Sequence, residues 1–262
     1  QYFDFLDFLK EPEPIITITI PDGFILNVEQ DGGTLQLSEL NTKELDLSLD
    51  QGNMIIVNNN TEVVNITSYL AGVNVDGLVS NNINLKSNGG NVVLKNITAS
   101  TELLADNLTA DYAFDTITSP KLELKSHTGN ADFKNINVTD INIELSAANV
   151  DLFNVKATKI HLTSTGNANV SYASTEVEDF ESITLGGGVV FLDFTSNNAH
   201  IETAGTLLAK NLKGNQYDIK CIGNFLTIEE SILTSISIET QRCETTIQYI
   251  KSIWRMKKNK TK

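Results

Sequence analysis

Two aspartates stand out among the residues that could do chemistry. Asp132 and Asp151 are 19 residues apart, and the stretches around them, NADFKNINVTDINIELSAA and NVDLFNVKATKIHLTSTG, match nearly position for position. If these stretches stack as strand layers about 4.8 Å apart, the two carboxylates fall in the range of a retaining glycosidase pair. Lys134 is near enough to neutralise one carboxylate, however, and no aromatic platform for a sugar is expected beside them. The pair therefore predicts no catalysis, and leaves a weak cation or carbohydrate site as the alternative.

The three histidines do not predict a metal site either. His161 and His200 both take an outward position of the repeat, in layers two apart, and the third histidine is His127. A separation of about 9.6 Å is too long for one shared metal ion. No nucleophile elbow, phosphate loop or zinc-binding helix is present in the sequence. We therefore predict that the protein is not an enzyme, with no catalytic residues, no cofactor and no metal.

The two cysteines are predicted to be free thiols. Cys221 falls at an inward position of the repeat, and Cys243 lies beyond the last repeat. We expect them one layer apart and offset around a corner, beyond the Cα separation of about 7 Å that a disulfide allows. Burial should make Cys221 slow to react.

The sequence gives only indirect signals of a compartment. Sequons for N-glycosylation begin at Asn59, Asn65, Asn96, Asn107, Asn137, Asn169 and Asn259. About five are expected by chance from the content of Asn, Ser and Thr. No apolar run approaches the ~18 residues of a membrane span, and the chain starts at Gln1, so a leader peptide is expected to have been removed. We predict a secreted or cell-surface protein, or alternatively a mitochondrial or other organellar one after transit-peptide removal.

The elements that position all these residues are repeats. With Asn130 as position one, apolar residues fall at positions two, four, seven, twelve and fourteen, as in alternating half-buried strands. Units of this kind can be started at residues 15, 34, 53, 72, 91, 111, 130, 149, 167, 188, 206 and 224. So short a unit cannot bury its apolar face alone, but stacked copies bury a continuous core. We predict an all-β protein, a single parallel β-helix of about twelve coils of about 19 residues.

The corners of the coils also repeat. Gly-Asn recurs at coil starts, as in Gly52-Asn53 and Gly90-Asn91, because Gly and Asn tolerate the positive φ of a sharp corner. Asn also recurs at position six, and a column of amides there predicts hydrogen bonds along the rod, interrupted at Thr116, Tyr172 and Asp193.

Three segments depart from the repeat. The β-helix is predicted to span residues 15–242. Before it, residues 1–14 are predicted to form a helical cap or docking segment that ends at Glu-Pro-Glu-Pro. After it, residues 243–262 are predicted to form a C-terminal cap with a short helix and a basic tail. The coil from Asn167 to Gly187 is 21 residues long, and its extra length predicts an extruded acidic loop that either makes contacts or is only solvated. The acidic residues of that candidate loop are Glu176, Glu178, Asp179 and Glu181.

One outward column turns apolar towards the C-terminal end. A soluble protein seldom leaves such a patch bare, so we predict an interaction surface there. Its residues are Val190, Leu192, Leu208, Leu226 and Ile228. It would be covered by a partner protein, by a second copy, or by the chain's own tail, with Ile247, Ile250 and Trp254 folding back.

The charge of the chain excludes one class of partner. The chain has 33 acidic and 19 basic residues, and six of the basic ones lie in the last twelve positions. The remainder, with 13 basic residues against 33 acidic, does not suit a nucleic-acid-binding face. We predict a protein partner or the tail on the apolar patch, with a glycan also open, no nucleic acid, and no transmembrane segment.

The coil pattern, Gly-Asn followed by alternating apolar positions and a closing Ser/Thr-x-Gly, resembles a β-solenoid family described as adhesins. Its members are mostly uncharacterised bacterial surface proteins, with some eukaryotic relatives. The resemblance spans about Ile15 to Gln241 and implies a parallel β-helix with adhesion or scaffolding as its role. Two functions follow as expectations. The first is a structural or adhesive module that binds a protein or glycan through its side or ends. The second is an accessory scaffold subunit of a larger, membrane-associated assembly, such as one in an organelle.

Overall fold

The computed structural model describes residues 19–258, with side chains to Lys251. Within this range the regular structure is entirely β, and the predicted parallel β-helix is confirmed. The strands are β1 (Ile25–Gln30), β2 (Thr34–Ser38), β3 (Asn41–Ser87), β4 (Asn91–Asn107), β5 (Asp111–Ser126), β6 (Ala131–Leu145), β7 (Val150–Ser164), β8 (Val170–Ala173), β9 (Glu176–Thr184), β10 (Gly188–Leu192), β11 (Thr195–Thr203), β12 (Thr206–Lys210), β13 (Lys213–Ile222), β14 (Phe225–Glu229), β15 (Ile232–Gln241), β16 (Glu244–Gln248) and β17 (Lys251–Lys258). They form one 17-stranded sheet, in which each strand pairs in parallel with the equivalent strand of the next coil.

Each coil has three faces, and β6 shows why. Its buried residues alternate in three runs, Ala131 and Phe133, then Ile136 and Val138, then Ile141, Ile143 and Leu145. Two consecutive outward residues separate each run from the next, so the chain turns there and presents a new face. We call these runs the first, second and third faces. A turn of about four residues then leads to the next coil.

The corner between the first and second faces is held by one residue per coil with a positive φ. Twelve such residues follow one another at steps of 18 to 20: Glu39, Asn58, Gly77, Asn96, Thr116, Asn135, Asn154, Ser174, Asp193, Asn211, Glu230 and Tyr249. The predicted amide ladder exists in part of this column. The Asn154 amide nitrogen donates to Asn135 Oδ1 at 2.7 Å, and that of Asn135 donates to Asp115 Oδ1 at 2.9 Å. Asn suits this position because its short polar side chain tolerates the left-handed conformation.

A second ladder runs along the turn that precedes the first face. Asn149 donates to the Asn130 side-chain oxygen at 3.0 Å, and Asn169 donates to that of Asn149 at 3.2 Å. The turns are packed closely enough to require glycine at some positions. A Cβ on Gly129 would lie 1.6 Å from the carbonyl oxygen of Ala110 in the preceding coil. The Gly-Asn corners thus serve two needs, backbone freedom and close approach between layers.

The core consists of equivalent side chains stacked on one another from coil to coil. Phe114 and Phe133 are partners in register, and their rings stack with centroids 4.6 Å apart. Tyr172 and Phe191 do the same at 4.9 Å, and edge-to-face contacts with Phe180 and Phe194 extend this aromatic cluster. Such columns exclude water from the core and make each coil depend on its neighbours.

Two expectations about register were wrong, and both errors lie in the turns. Val150 pairs with Val170, so the extra residue of the long coil lies in the turn at 165–169. The segment 176–184 is therefore the regular strand β9, paired with both neighbours, and no acidic loop is extruded. Near the C-terminal end Leu207 pairs with Leu226, because the turn after Cys221 is one residue longer than its equivalent after Thr203.

The C-terminal segment continues the solenoid. We expected a short helix after residue 242, but β16 pairs with β14 and β17 pairs with β15. Ile247 lies opposite Ile228 and, with Ile250, packs against the core. The apolar spacing that predicted a helix reflects two short strands around a corner at Tyr249, whose φ is +56°. The predicted cap at residues 1–14 lies outside the described residues.

The prediction of free thiols was also wrong. Cys221 and Cys243 form a disulfide with their Cα atoms 6.4 Å apart, inside the limit that excluded a bridge. Thr240 is the residue directly opposite Cys221, and Cys243 lies three residues further on, in the turn between β15 and β16. The turn brings Cys243 back within reach of the end of β13. The bond joins the end of β13 to the turn that follows β15, which leads into the last described coil.

Candidate interaction surfaces

The structure retains three of the five residues that the sequence placed on an apolar surface. Val190 is half-buried, and Leu192 and Leu208 are 44% and 43% exposed. Leu226 and Ile228 are fully buried, contrary to the prediction. The longer turn after Cys221 shifts β14 by one position, so Phe225 faces out and Leu226 takes the inward place opposite Leu207.

Register adds two residues that sequence reasoning missed. Phe153 is opposite Ala173, and Ala173 is opposite Leu192, so the three form one outward column on the first face. Phe153 is 50% exposed. Its neighbour Leu152 points inward, and the alternation alone was a signal that Phe153 points out. We define the lateral apolar patch as Phe153, Ala173, Val190, Leu192 and Leu208.

Charged residues border this patch. Lys134 precedes Phe153 in its column, and Lys210 follows Leu192. In the adjacent column Asp132 lies opposite Asp151, and the next two coils continue this column with Ser171 and then Val190. Burial and the nearby carboxylates of Asp151 and Asp111 raise the pKa of Asp132 above its usual value. The patch thus has an apolar centre, with lysines at the two ends of one column and two aspartates at the start of the other.

The chain's own tail does not cover the patch over the described residues. Through Ile250 the tail extends the stack at the C-terminal end, and the backbone of β17 runs beside β15. This position is along the axis of the rod, whereas the patch lies on its side. The expectation that Ile247 and Ile250 fold back over the patch is therefore wrong. The side chain of Trp254 lies outside the described set.

The four predicted acidic residues lie on β9, and the side chains of three of them have partners in the adjacent coils. Glu176 forms an ion pair with Lys156 at 3.2 Å, and both side chains are well exposed. Asp179 accepts a hydrogen bond from the Asn198 amide at 2.8 Å, and Glu181 lies 2.8 Å from His161 Nδ1. Glu178 is exposed on the same strand. These carboxylates belong to the regular surface rather than to a loop.

The histidines are placed as the sequence predicted, two coils apart, with Glu181 between them. Glu181 is opposite both His161 and His200, and His200 Nδ1 lies 3.4 Å from Asp218 Oδ2. A shallow concavity of about 440 Å³ follows this column on the third face. Among the described residues no three His, Cys, Asp or Glu side chains are placed to hold a metal ion.

The expectation that no aromatic side chain lies beside Asp132 and Asp151 was wrong. Phe153 is two residues after Asp151 on the outward side of β7, so an exposed aromatic ring does stand beside the two carboxylates. An aromatic face beside hydrogen-bonding carboxylates is a common arrangement for binding a sugar.

No family model, curated protein or solved structure matches this chain. The structure supports the resemblance to the adhesin-type family at the level of the parallel β-solenoid fold, and the comparisons add no support for the family itself. In the part of the chain that the structure describes, no helix is long and apolar enough to cross a membrane.

Proposed function

We propose that this protein is a non-catalytic structural or adhesive β-solenoid that binds a partner protein through the lateral apolar patch. One observation carries the proposal: Phe153, Leu192 and Leu208 are 43–50% exposed in adjacent columns of one face. The parallel ladder fixes their backbones, so little conformational entropy is lost when another surface packs on them. An apolar centre with a charged border is the usual composition of a protein interface.

The carboxylates at one edge of the patch favour a partner that brings a basic group to that edge. Asp111, Asp132 and Asp151 lie at one edge of the patch, and burial together with their mutual repulsion raises the pKa of Asp132. A cation placed over these carboxylates would relieve that repulsion. The chain as a whole carries a formal charge of −14, which also favours encounter with a basic surface.

The disulfide supports a setting outside the reducing cytosol. Bonds of this kind persist in secreted proteins, in the periplasm and at cell surfaces, whereas cytosolic thiols are kept reduced. This supports the secreted or cell-surface location over a cytosolic one. An organelle with an oxidising interior remains the alternative location, and an accessory subunit of a larger assembly the alternative role.

The proposal is tested by expressing variants of the patch in the cells from which the protein comes and purifying them with any bound partner. Tagged wild-type protein and Leu192→Lys/Leu208→Lys would be purified in parallel, with Val79→Lys as a control at an equally exposed apolar residue of another face. We expect a stoichiometric partner with the wild type and Val79→Lys, and its loss with the double variant. Circular dichroism should show all three folded. A partner retained by the double variant would contradict the proposal.

The size of the captured complex separates the two roles. A single partner in a small complex supports an adhesive or structural module. Several co-purifying proteins in fixed ratio would instead favour the scaffold subunit.

A glycan is a second candidate ligand because Phe153 stands beside Asp132 and Asp151. Binding of labelled protein to an array of soluble oligosaccharides would test this. Phe153→Ala should then abolish a signal that Leu208→Lys leaves in place. An array that retains no wild-type protein would exclude this candidate.

A further inference from the structure

Two of the seven sequons lie inside the core of the folded protein. Asn59 is 2% exposed; its side-chain oxygen accepts the Leu40 N–H at 2.7 Å and its amide nitrogen donates to the Leu37 carbonyl. Asn107 is 5% exposed, and its amide nitrogen donates to Ala110 O at 3.0 Å and Ser126 Oγ at 3.2 Å. Both belong to Asn-x-Thr sequons.

A glycan cannot be accommodated at either position. The N-glycosidic bond forms on the side-chain nitrogen and replaces one of its two hydrogens with a bulky, strongly hydrated sugar. At both sites that nitrogen is enclosed and donates inside the coil. A sugar there would separate stacked coils and leave buried polar groups without partners.

In a compartment that carries out N-glycosylation, the sugar is transferred to the nascent chain before the coils of a solenoid can stack. Burial in the folded protein would therefore come too late to prevent glycosylation of these two asparagines. The acceptor nitrogens would be modified while still exposed. Among the other described sequons, Asn65 is half-buried and Asn96, Asn137 and Asn169 are exposed. Among the described sequons, glycosylation is therefore incompatible with the fold only at Asn59 and Asn107.

The disulfide between Cys221 and Cys243 points independently to an oxidising environment. We infer that this protein folds in an oxidising compartment that has no N-glycosylation machinery, and that Asn59 and Asn107 are never modified. A bacterial periplasm or cell exterior meets both conditions, and so does an oxidising organelle outside the glycosylating secretory route. This inference does not depend on the lateral apolar patch.

The test compares folding in two hosts. We would direct the full chain either to a bacterial periplasm or to the secretory pathway of a glycosylating cell. From the periplasm we expect folded protein with the disulfide formed, read as an intact mass two hydrogens below that of the reduced chain. From the glycosylating pathway we expect retained, misfolded protein with glycans on Asn59 and Asn107, and loss of the secreted folded form.

A matched variant separates the sugars from other causes of retention. Thr61→Val with Thr109→Ala removes both sequons but leaves the two asparagines and their hydrogen bonds in place. It should fold in the periplasm and should restore secretion from the glycosylating cell. Thr139→Ala, which removes only the exposed sequon of Asn137, should not. Wild-type protein secreted folded by the glycosylating cell, with or without glycans, would overturn the inference, as would free thiols in the periplasmic protein.

Discussion

At the scale of single residues, the corner after the first face shows how position overrides residue type. Asn recurs there often enough for the sequence to predict a ladder. The same left-handed conformation is nevertheless imposed on Glu39, Thr116 and Tyr249, which disfavour it. The repeat placed Thr116 in this column, but the residue types themselves give no sign of a positive φ, because their φ is set by the coils above and below. Tyr172 was assigned to this corner from sequence, but the longer turn places Ser174 there instead.

Thr116 offers a direct test of this account. It is β-branched, has a φ of +60°, and lies between Asn96 and Asn135 in the corner column. Thr116→Asn should raise the free energy of unfolding by about 1 kcal/mol because the strain of a β-branched residue in this region is removed. Asn135→Thr should lower it by a similar amount. Denaturant melts would measure both, and effects of the same sign would contradict the assigned corner.

Asp132 predicts a dependence of stability on pH. Burial, with Asp151 and Asp111, raises its pKa above 3.8, so the folded protein holds this proton more tightly than the unfolded chain. The free energy of unfolding therefore falls as the pH rises from the unfolded pKa of Asp132 to its folded pKa. The cost of ionising Asp132 in the folded protein persists at neutral pH. Asp132→Asn should raise the melting temperature at pH 7 and leave it unchanged at about pH 3, below the unfolded pKa. An equal gain at both values would rule out this electrostatic cause.

At the scale of strands, the inward and outward pattern was predictable from the sequence, but the turns were not. Alternation specified the faces of β6 and β7 correctly because a strand in a stacked coil admits only one register with its core. A turn can gain or lose a residue without cost to that alternation, as at 165–169 and after Cys221. The longer turn after Cys221 is the reason that Leu226 and Ile228 were wrongly assigned to the apolar patch. The disulfide was missed because it depends on the turn between Gln241 and β16.

The stacked core gives a matched pair of variants. Phe133 is buried between Phe114 and Leu152, whereas Asp151 points outward from the neighbouring strand. Phe133→Asp should cost several kcal/mol, because a charge without a partner would be buried in the column. Asp151→Ala should change the free energy of unfolding by less than about 0.5 kcal/mol. Similar melts for the two variants would show that the register is wrong.

The disulfide predicts a local effect at the C-terminal end. It closes a segment of 22 residues and holds the turn that leads into the last coil, which has a neighbour on only one side in the described stack. Cys221→Ala/Cys243→Ala should lower the free energy of unfolding by about 3 kcal/mol. Hydrogen exchange should accelerate in β16 and stay slow in β6. Faster exchange throughout the solenoid, or none, would disagree with this role.

At the scale of the whole molecule, twelve coils at about 4.8 Å make a rod of roughly 58 Å with three long faces. Stacking leaves every inward column committed to the core, so function falls to the outward columns and to the ends. On the first face, exposed or half-buried apolar side chains in register extend over the coils from β7 to β12. The contrast between this patch and the charged columns beside it is what suits the rod for binding.

The central claim is that the lateral apolar patch is covered by a partner in the native setting. Photo-crosslinking tests it most directly, with a photoreactive residue in place of Leu192 and, in a control protein, in place of Val79. The account predicts one discrete crosslinked species from position 192, formed in the source cells before lysis, and none from position 79. Absence of any product at position 192, or equal products from both positions, would contradict it.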